Sequence, residues 1–170
     1  NTGGMGACSP APVVTPAIVE RVMREVIMPT VRGMAAEGNV YTGFLYAGLM
    51  VAPDGTPKVL EYNCRFGDPE TQPIMMRLKS DITALCDAAI DGQLDAISAE
   101  WDSRAALGVV MAAGGYPDSY RKGDVIEGLP EHASADSHVF HAGTLLRYDA
   151  AVVTNGGRVL CVTALGDTVA

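Results

Sequence analysis

Glu61, Asn63 and Arg65 alternate with less polar residues in a short stretch of the chain. If this stretch is a β-strand, the three polar side chains project from one face and their neighbours form a core face. A carboxylate and an amide oxygen about 6.5 Å apart along a strand can bind one hard cation, and a guanidinium can bind an anion. The pattern predicts a site for a divalent cation and a phosphate group.

Three interpretations of the stretch from Glu61 to Gln72 are open. The first is a surface cluster of ion pairs that solvates a sheet edge. The second is a divalent cation, preferably Mg²⁺, held by Glu61 and Asn63. The third is a binding module that uses Arg65 to hold a carboxylate or phosphate without chemistry. The shared face and the acidic turn that follows it favour the second and third interpretations.

The elements around the polar strand predict that it lies on a rigid sheet. Residues 40–51 are rich in aromatic, β-branched and small side chains, and Pro53-Asp54-Gly55 predicts a turn into residues 58–61. We therefore expect an antiparallel hairpin. The first six residues contain three glycines, which predicts a loop whose N–H groups can face an anion, although a flexible terminus is the alternative.

Helices are predicted on both sides of this hairpin. Thr15 and Pro16 indicate a helix start, and Pro29 is expected to interrupt the apolar pattern that follows. A second segment is predicted from Pro29 to a stop at Gly38. The later predictions are a short helix at residues 74–78 and a longer one at residues 82–90, capped by Asp81.

The composition changes near Trp101, where we place a domain boundary between residues 1–100 and 101–170. The second part predicts short strands at residues 106–112, 125–126, 139–141, 145–148, 152–153 and 158–164. Asn155-Gly156-Gly157 predicts a hairpin turn. The predicted class is α+β, with an antiparallel sheet and flanking helices followed by a small, mostly-β domain.

Composition limits the possible partners. The 170 residues are 48% hydrophobic and carry a formal net charge of −8, which argues against a general binder of nucleic acid or anionic membranes. The four cysteines lie far apart, so we expect reduced, buried thiols in a cytoplasmic protein. His138 and His141 fall on opposite faces of a strand, which disfavours a metal-ligand pair.

Three stretches carry a resemblance to a known family. They are residues 1–7 with Ser9-Pro10, residues 61–72 and residues 154–160. In this order they resemble the glycinamide ribonucleotide synthetases, the phosphoribosylamine-glycine ligase family of the ATP-grasp ligases. The resemblance implies ATP-dependent joining of glycine to 5-phosphoribosylamine in de novo purine biosynthesis. The implied products are glycinamide ribonucleotide, ADP and phosphate, formed through a glycyl phosphate.

The resemblance also implies roles for individual residues. Glu61 and Asn63 match metal ligands that bridge Mg²⁺ or Mn²⁺ to the ATP phosphates, and Arg65 matches a catalytic guanidinium against the transferred phosphoryl group. Leu60 resembles the apolar side chain near adenine, with core packing as the alternative. Substrate binding is expected at Gly3, Gly4, Met5, Gly6, Asp68, Glu70 and Gln72. For the last three residues, helix capping is the alternative.

Two departures from the family pattern matter. The strand before Glu61 has no carboxylate at residues 46–50, so Glu61 is expected to carry most of the metal-binding charge. The family's amino-terminal domain and the lobe whose lysines hold ATP are expected upstream of Asn1. We therefore expect this chain to be a fragment that is inactive alone. The alternatives are another ATP-grasp carboxylate-amine ligase, or a non-catalytic module that binds Mg-nucleotide or an anion.

Overall fold

The computed structural model describes residues 2–132 and 134–169. In chain order the elements are β1 (Gly6–Ser9), α1 (Pro16–Val22), a π-helical segment (Met23–Ile27), α2 (Met28–Ala36), β2 (Tyr46–Val51), β3 (Pro57–Asn63), α3 (Thr71–Arg77), α4 (Ile82–Ile90), a 3₁₀ turn (Leu94–Ala96), β4 (Ala105–Ala112), β5 (Ser137–His141), β6 (Thr144–Leu146), β7 (Val152–Thr154) and β8 (Arg158–Gly166). The predicted class, α+β with antiparallel sheets, is confirmed. In the described part of the chain, no helix has the length and hydrophobicity to cross a bilayer.

The described chain forms two compact units that interleave along the sequence. The sheet unit comprises residues 2–9, 68–78, 102–132 and 134–169, and the hairpin unit comprises residues 10–67 and 79–101. Our boundary at residue 100 rests on a change in composition along the sequence, which is a different criterion from compactness. That boundary stays a prediction.

The sheet unit is built on four antiparallel strands in the order β1-β4-β8-β5. Ala106, Val110, Cys161 and Thr163 are buried. Helix α3 packs closely here because Gly108 has no side chain: a Cβ at this position would lie 3.4 Å from Pro73 Cδ and 3.2 Å from Cys161 Sγ. Strands β6 and β7 form a separate two-stranded sheet.

Strand β1 was not predicted, because its first residue, Gly6, belongs to the glycine-rich stretch that predicts a loop. Gly6 begins the strand and lies opposite Val109 of β4. A Cβ on Gly6 would lie 2.9 Å from the carbonyl oxygen of Gly108. This glycine is therefore required by close strand pairing, a long-range contact for which the local sequence has no signal.

The predicted hairpin turn at Asn155-Gly156-Gly157 is wrong. Strand β7 pairs with β6, whereas β8 pairs with β4 and β5, so these residues connect two different sheets. Neither Gly156 nor Gly157 adopts the positive φ that a two-residue type I′ turn requires. Asn155 N–H instead donates to Gly143 O at 2.7 Å. The strand predicted at residues 125–126 is reduced to one bridge between Val125 and Val153.

The hairpin unit contains the predicted β2–β3 pair, which is confirmed. Gly55 N–H donates to Ala52 O at 2.8 Å, and Thr56 N–H donates to Asp54 Oδ1 at 2.9 Å. A register shift falls between Gly48 and Leu49, where Leu60 has no partner across the ladder. The bulge interrupts the simple alternation of faces just before Glu61.

The predicted helix caps are confirmed, but the predicted break at Pro29 is wrong. Thr15 accepts from Ile18 N–H at 3.4 Å, and Asp81 accepts from Thr83 N–H at 2.8 Å. The chain stays helical into Pro29 because a π-helical segment precedes it. Proline near the start of α2 costs little there, since its missing N–H falls where the bonding pattern changes.

Candidate functional site

The predicted site residues divide between the two units. Leu60, Glu61, Asn63 and Arg65 lie in the hairpin unit, whereas the glycine-rich segment and the residues from Asp68 to Gln72 lie in the sheet unit.

Glu61 and Asn63 lie at the end of β3, where its last residues pair with β2. Glu61 lies opposite Gly48, and Asn63 lies opposite Tyr46. A Cβ on Gly48 would lie 3.0 Å from Glu61 Cγ, which is tighter than ordinary van der Waals contact. Gly48 therefore leaves the space that the Glu61 side chain occupies. The missing carboxylate on β2 is evident from the sequence, whereas this steric role depends on the pairing of the two strands.

Arg65 was predicted to share a face with Glu61 and Asn63 through strand alternation, and that reason is wrong. Strand β3 ends at Asn63, and Arg65 lies in the bend that follows. Its side chain nevertheless returns to the strand: Nη2 donates to Asn63 Oδ1 at 3.3 Å, and Nη1 donates to Phe66 O at 2.8 Å. The Phe66 ring packs on Phe44 with centroids 3.9 Å apart, which anchors the bend.

The face opposite the polar residues is exposed in this unit, contrary to the expectation of a core face. Leu60 is 66% exposed and Tyr62 is 42% exposed. The Tyr62 hydroxyl lies 2.7 Å from Thr30 Oγ1, so only its tip is anchored. An exposed leucine at a bulge is available to pack on a flat apolar ligand, which keeps the nucleotide role of Leu60 open as a prediction.

The donors at the end of β3 suit a hard cation that keeps other ligands. Glu61 supplies a carboxylate and Asn63 an amide oxygen. Within residues 2–132 and 134–169, no group of three or more His, Cys, Asp or Glu side chains is arranged to hold a metal ion. Two oxygen donors fit Mg²⁺, which commonly takes one or two protein oxygens and completes its shell with water and phosphate. They do not form a closed structural zinc site.

In the sheet unit, the three predicted glycines have different surroundings. Gly3 has open space where a Cβ would be, whereas Gly4 has φ +72° and faces the Arg158 guanidinium. Gly6 is part of β1, and the Met5 carbonyl accepts from Val110 N–H at 3.0 Å. Only the segment before Gly6 is a loop.

Asp68 is bound by Arg158, which lies in the stretch 154–160 and for which no role was predicted. Arg158 Nη2 donates to Asp68 Oδ2 at 2.8 Å, and Nη1 donates to Asp68 O at 2.9 Å and Gly4 O at 3.0 Å. The N-cap position of the helix that follows is occupied by Glu70 and not by Asp68. No spacing signal could have found this pair, since the two residues are 90 positions apart.

Glu70 and Gln72 lie at the beginning of α3. Glu70 occupies the N-cap position, but its side chain makes no capping hydrogen bond. Gln72 Oε1 is buried without a hydrogen-bond partner in the described structure. Such an acceptor is costly unless a donor reaches it. Capping is thus not the role of either side chain, and substrate binding by both stays a prediction.

Arg77, at the end of α3, supports the chain around β1 and β4. Its Nη1 donates to Ser9 Oγ at 3.0 Å, and its Nε donates to the carbonyl oxygens of Asp102 and Arg104 at 3.2 and 2.9 Å. Arg104 in turn binds Asp102 and Asp136, and these bonds raise the pKa of its guanidinium further above its ordinary value. This network fixes the strand that follows the glycine-rich loop.

The four cysteines were expected to be buried, and this is correct for only one of them. Cys161 is buried, Cys8 and Cys86 are half-buried, and Cys64 is exposed. Cys64 is exposed because it lies just beyond the end of β3, in the same bend as Arg65.

Comparison with known proteins gives the family. A model of the ATP-grasp (A) domain of phosphoribosylglycinamide synthetase matches residues 1–71, and a model of the C domain of the same enzyme matches residues 106–170. The chain belongs to the phosphoribosylglycinamide synthetase family. This membership confirms the resemblance inferred from the three sequence stretches.

Individual members of the family are similar to the chain in sequence and in structure. The chain is 71% identical over 169 residues to phosphoribosylamine-glycine ligase of Vibrio cholerae and 69% identical over 170 residues to that of Escherichia coli K12. A crystal structure of phosphoribosylamine-glycine ligase from Thermotoga maritima matches 99% of the chain with a TM-score of 0.82 and 38% identity. The chain spans about 40% of the length of these relatives, 39% for the first and 40% for the others.

Proposed function

We propose that the full-length protein containing this chain is an ATP-dependent ligase that joins glycine to 5-phosphoribosylamine. The products are glycinamide ribonucleotide, ADP and phosphate, and the step belongs to cytoplasmic de novo purine biosynthesis. One observation carries the proposal: in a chain of this family, Arg65 hydrogen-bonds to Asn63 at the end of the strand that also bears Glu61. Cation-binding oxygens and an anion-binding guanidinium are thus adjacent.

These three residues and Leu60 each have a part in the proposal. Glu61 and Asn63 hold Mg²⁺ or Mn²⁺, which supplies positive charge to the phosphates of ATP when bound. Arg65 stabilises the charge that builds up on the transferred phosphoryl oxygens, a role that needs no proton transfer. Leu60 packs against adenine. The guanidinium is already oriented by Phe66 O and Asn63 Oδ1, which lowers the cost of ordering it on binding.

The sheet unit supplies the substrate-binding residues. The loop of Gly3, Gly4 and Met5 offers backbone N–H groups to an anionic group of the substrate. Asp68 offers a carboxylate oxygen to an amine, and the unpartnered Oε1 of Gln72 accepts a further donor. Glu70 adds negative charge at the start of α3. Both glycine and 5-phosphoribosylamine carry an anionic group and an amine, which fits this set of donors and acceptors.

The test is a coupled assay of ADP release by the full-length protein. We expect release only when glycine and 5-phosphoribosylamine are both present. Arg65→Lys should lower kcat by about tenfold to a hundredfold with little change in the KM for ATP, because an ammonium cannot reproduce the planar fork. Arg32→Lys is the matched control, since Arg32 is an exposed arginine of helix α2 in the same unit.

Other outcomes separate the alternatives. ADP release with a different carboxylate and amine, but not with this pair, would assign the protein to another ATP-grasp ligase. Nucleotide binding without ADP release under any of these conditions would support a non-catalytic module. An Arg65→Lys variant with the kcat of the parent would remove the catalytic role of this side chain.

A further inference from the structure

Arg158 connects two parts of the chain that are distant in sequence. Its guanidinium donates to Gly4 O at 3.0 Å and to Asp68 O and Oδ2 at 2.9 and 2.8 Å. Gly4 is 154 positions away and Asp68 is 90 positions away. The side chain is only 28% exposed. Three bonds from one planar group fix the distance between the glycine-rich loop and the Asp68 turn.

The backbone that carries Arg158 is held rigidly. The residue begins β8 and pairs with Ala112 of β4, and the next residue, Val159, is buried. On the other side, Gly157 O accepts from Ala113 N–H at 2.8 Å. The guanidinium therefore projects from a fixed point of the sheet and acts as a support for two loops.

The glycine-rich loop leaves room for the Arg158 guanidinium at Gly4. Gly4 has φ +72°, and a Cβ there would overlap Arg158 Nη1. The carbonyls of Gly4 and Met5 accept from Arg158 and from Val110 N–H. Within the described structure, the N–H groups of Gly3 and Gly4 donate to no acceptor. With its carbonyls bound to the protein, the loop keeps these N–H groups for an anion.

Asp68 is oriented in a similar way. Oδ2 is occupied by Arg158 Nη2, whereas Oδ1 makes no hydrogen bond to the described residues. A charge-assisted bond to one oxygen fixes the plane of a carboxylate and leaves the second oxygen as an acceptor. The free oxygen can accept a hydrogen bond from an amine.

We propose that Arg158 is a positioning residue for a substrate that carries both an anionic group and an amine. It sets the N–H groups of the glycine-rich loop and the free oxygen of Asp68 at a fixed separation. The proposal rests on the proposed function, because glycine and 5-phosphoribosylamine both have this chemistry. Arg158 acts through Gly4 and Asp68 and does not itself touch the reacting atoms.

The experiment compares steady-state kinetics of full-length variants, with KM measured separately for ATP, glycine and 5-phosphoribosylamine. Arg158→Ala should raise the KM of glycine or of 5-phosphoribosylamine by about tenfold or more, and the KM of ATP by less than about twofold. Whichever KM rises identifies the substrate that this part of the site holds. Arg147→Lys is the matched control for Arg158→Lys, because Arg147 pairs with Asp149 at 2.7 Å in the same unit.

Two further variants distinguish positioning from a merely structural role. Arg158→Lys keeps the charge but not the fork, so it should raise the same KM by a smaller factor while the Tm stays near that of the parent. The double variant Arg158→Ala/Asp68→Asn should be no worse than the more impaired single variant, since both remove the same arrangement.

Three results would overturn the positioning role of Arg158. If Arg158→Ala lowers only the Tm, or Arg158→Lys leaves every KM unchanged, Arg158 has no positioning role. Equal increases for ATP and the other substrates would also overturn it. These results differ from failure of the proposed function, in which the parent protein itself releases no ADP with both substrates and the inference fails with it.

Discussion

Arg65 Nη2 donates a hydrogen bond to Asn63 Oδ1 at 3.3 Å, across the end of strand β3. An amide oxygen has two lone pairs, so Asn63 can accept this bond and still contribute to a cation. The Asn63 side chain therefore links the predicted cation-binding part of the candidate site to the predicted anion-binding part. Their separation is set by the point at which β3 ends.

Gly48 is predicted to matter for metal binding although it carries no ligand. In Gly48→Ala, the new Cβ would lie 3.0 Å from Glu61 Cγ and displace that side chain by a few tenths of an ångström. We expect the Mg²⁺ concentration for half-maximal ADP release by the full-length protein to rise about threefold or more. Gly33→Ala is the control, since its Cβ would have no neighbour within 4 Å. Equal Mg²⁺ dependence of the two variants would contradict the role of Gly48.

The two loop glycines are predicted to respond differently to substitution. Gly4→Ala places a Cβ at φ +72° against the Arg158 guanidinium and should destabilise by about 1–3 kcal/mol. Gly3→Ala enters open space and should change stability by less than about 0.5 kcal/mol. Scanning calorimetry of the full-length variants measures both. A Gly3→Ala variant as unstable as Gly4→Ala would show that the loop is tightly packed at Gly3 as well.

The β2–β3 turn is predicted to weaken in acid. The hydrogen bond from Thr56 N–H lowers the pKa of Asp54 below its ordinary value of 3.8. Because the folded pKa is the lower one, the stabilisation is fully present above the ordinary value and is lost as the pH falls through the folded one.

The variant Asp54→Asn tests whether this carboxylate makes the folded protein less stable as the pH falls. Between about pH 6 and about pH 3 the parent should lose more thermal stability than the variant. If both proteins lose the same amount over this range, the Asp54 bond makes no contribution to the acid sensitivity of the hairpin.

Local signals predicted much of the hairpin unit. The Asp54-Gly55 turn, the caps at Thr15 and Asp81 and the stop at Gly38 each depend on residues within a few positions. The shared face of Glu61 and Asn63 followed from strand alternation in the same way. The π-helical segment before Pro29 was missed because it has no comparable short-range signal.

The sheet unit was predicted less well because its decisive contacts are distant in sequence. Strand β1 exists through pairing with β4, about a hundred positions away. Arg158 has no local feature that predicts its bonds to Gly4 and Asp68. Gly6 was predicted from the sequence only as a substrate-binding residue, and that role stays a prediction, whereas its close pairing with β4 was not predicted. The composition of a short segment does not distinguish a glycine that close strand pairing requires from one that ligand binding requires.

The central claim is that Glu61 and Asn63 hold the metal that accompanies ATP. The most direct measurement is a Mg²⁺ titration of ADP release by the full-length protein and by Glu61→Gln, with Glu37→Gln as the control, because Glu37 is an exposed residue of the same unit at the end of α2. We predict that Glu61→Gln raises the half-maximal Mg²⁺ concentration by about tenfold or more while Glu37→Gln matches the parent. An unchanged Mg²⁺ dependence in Glu61→Gln would contradict the account.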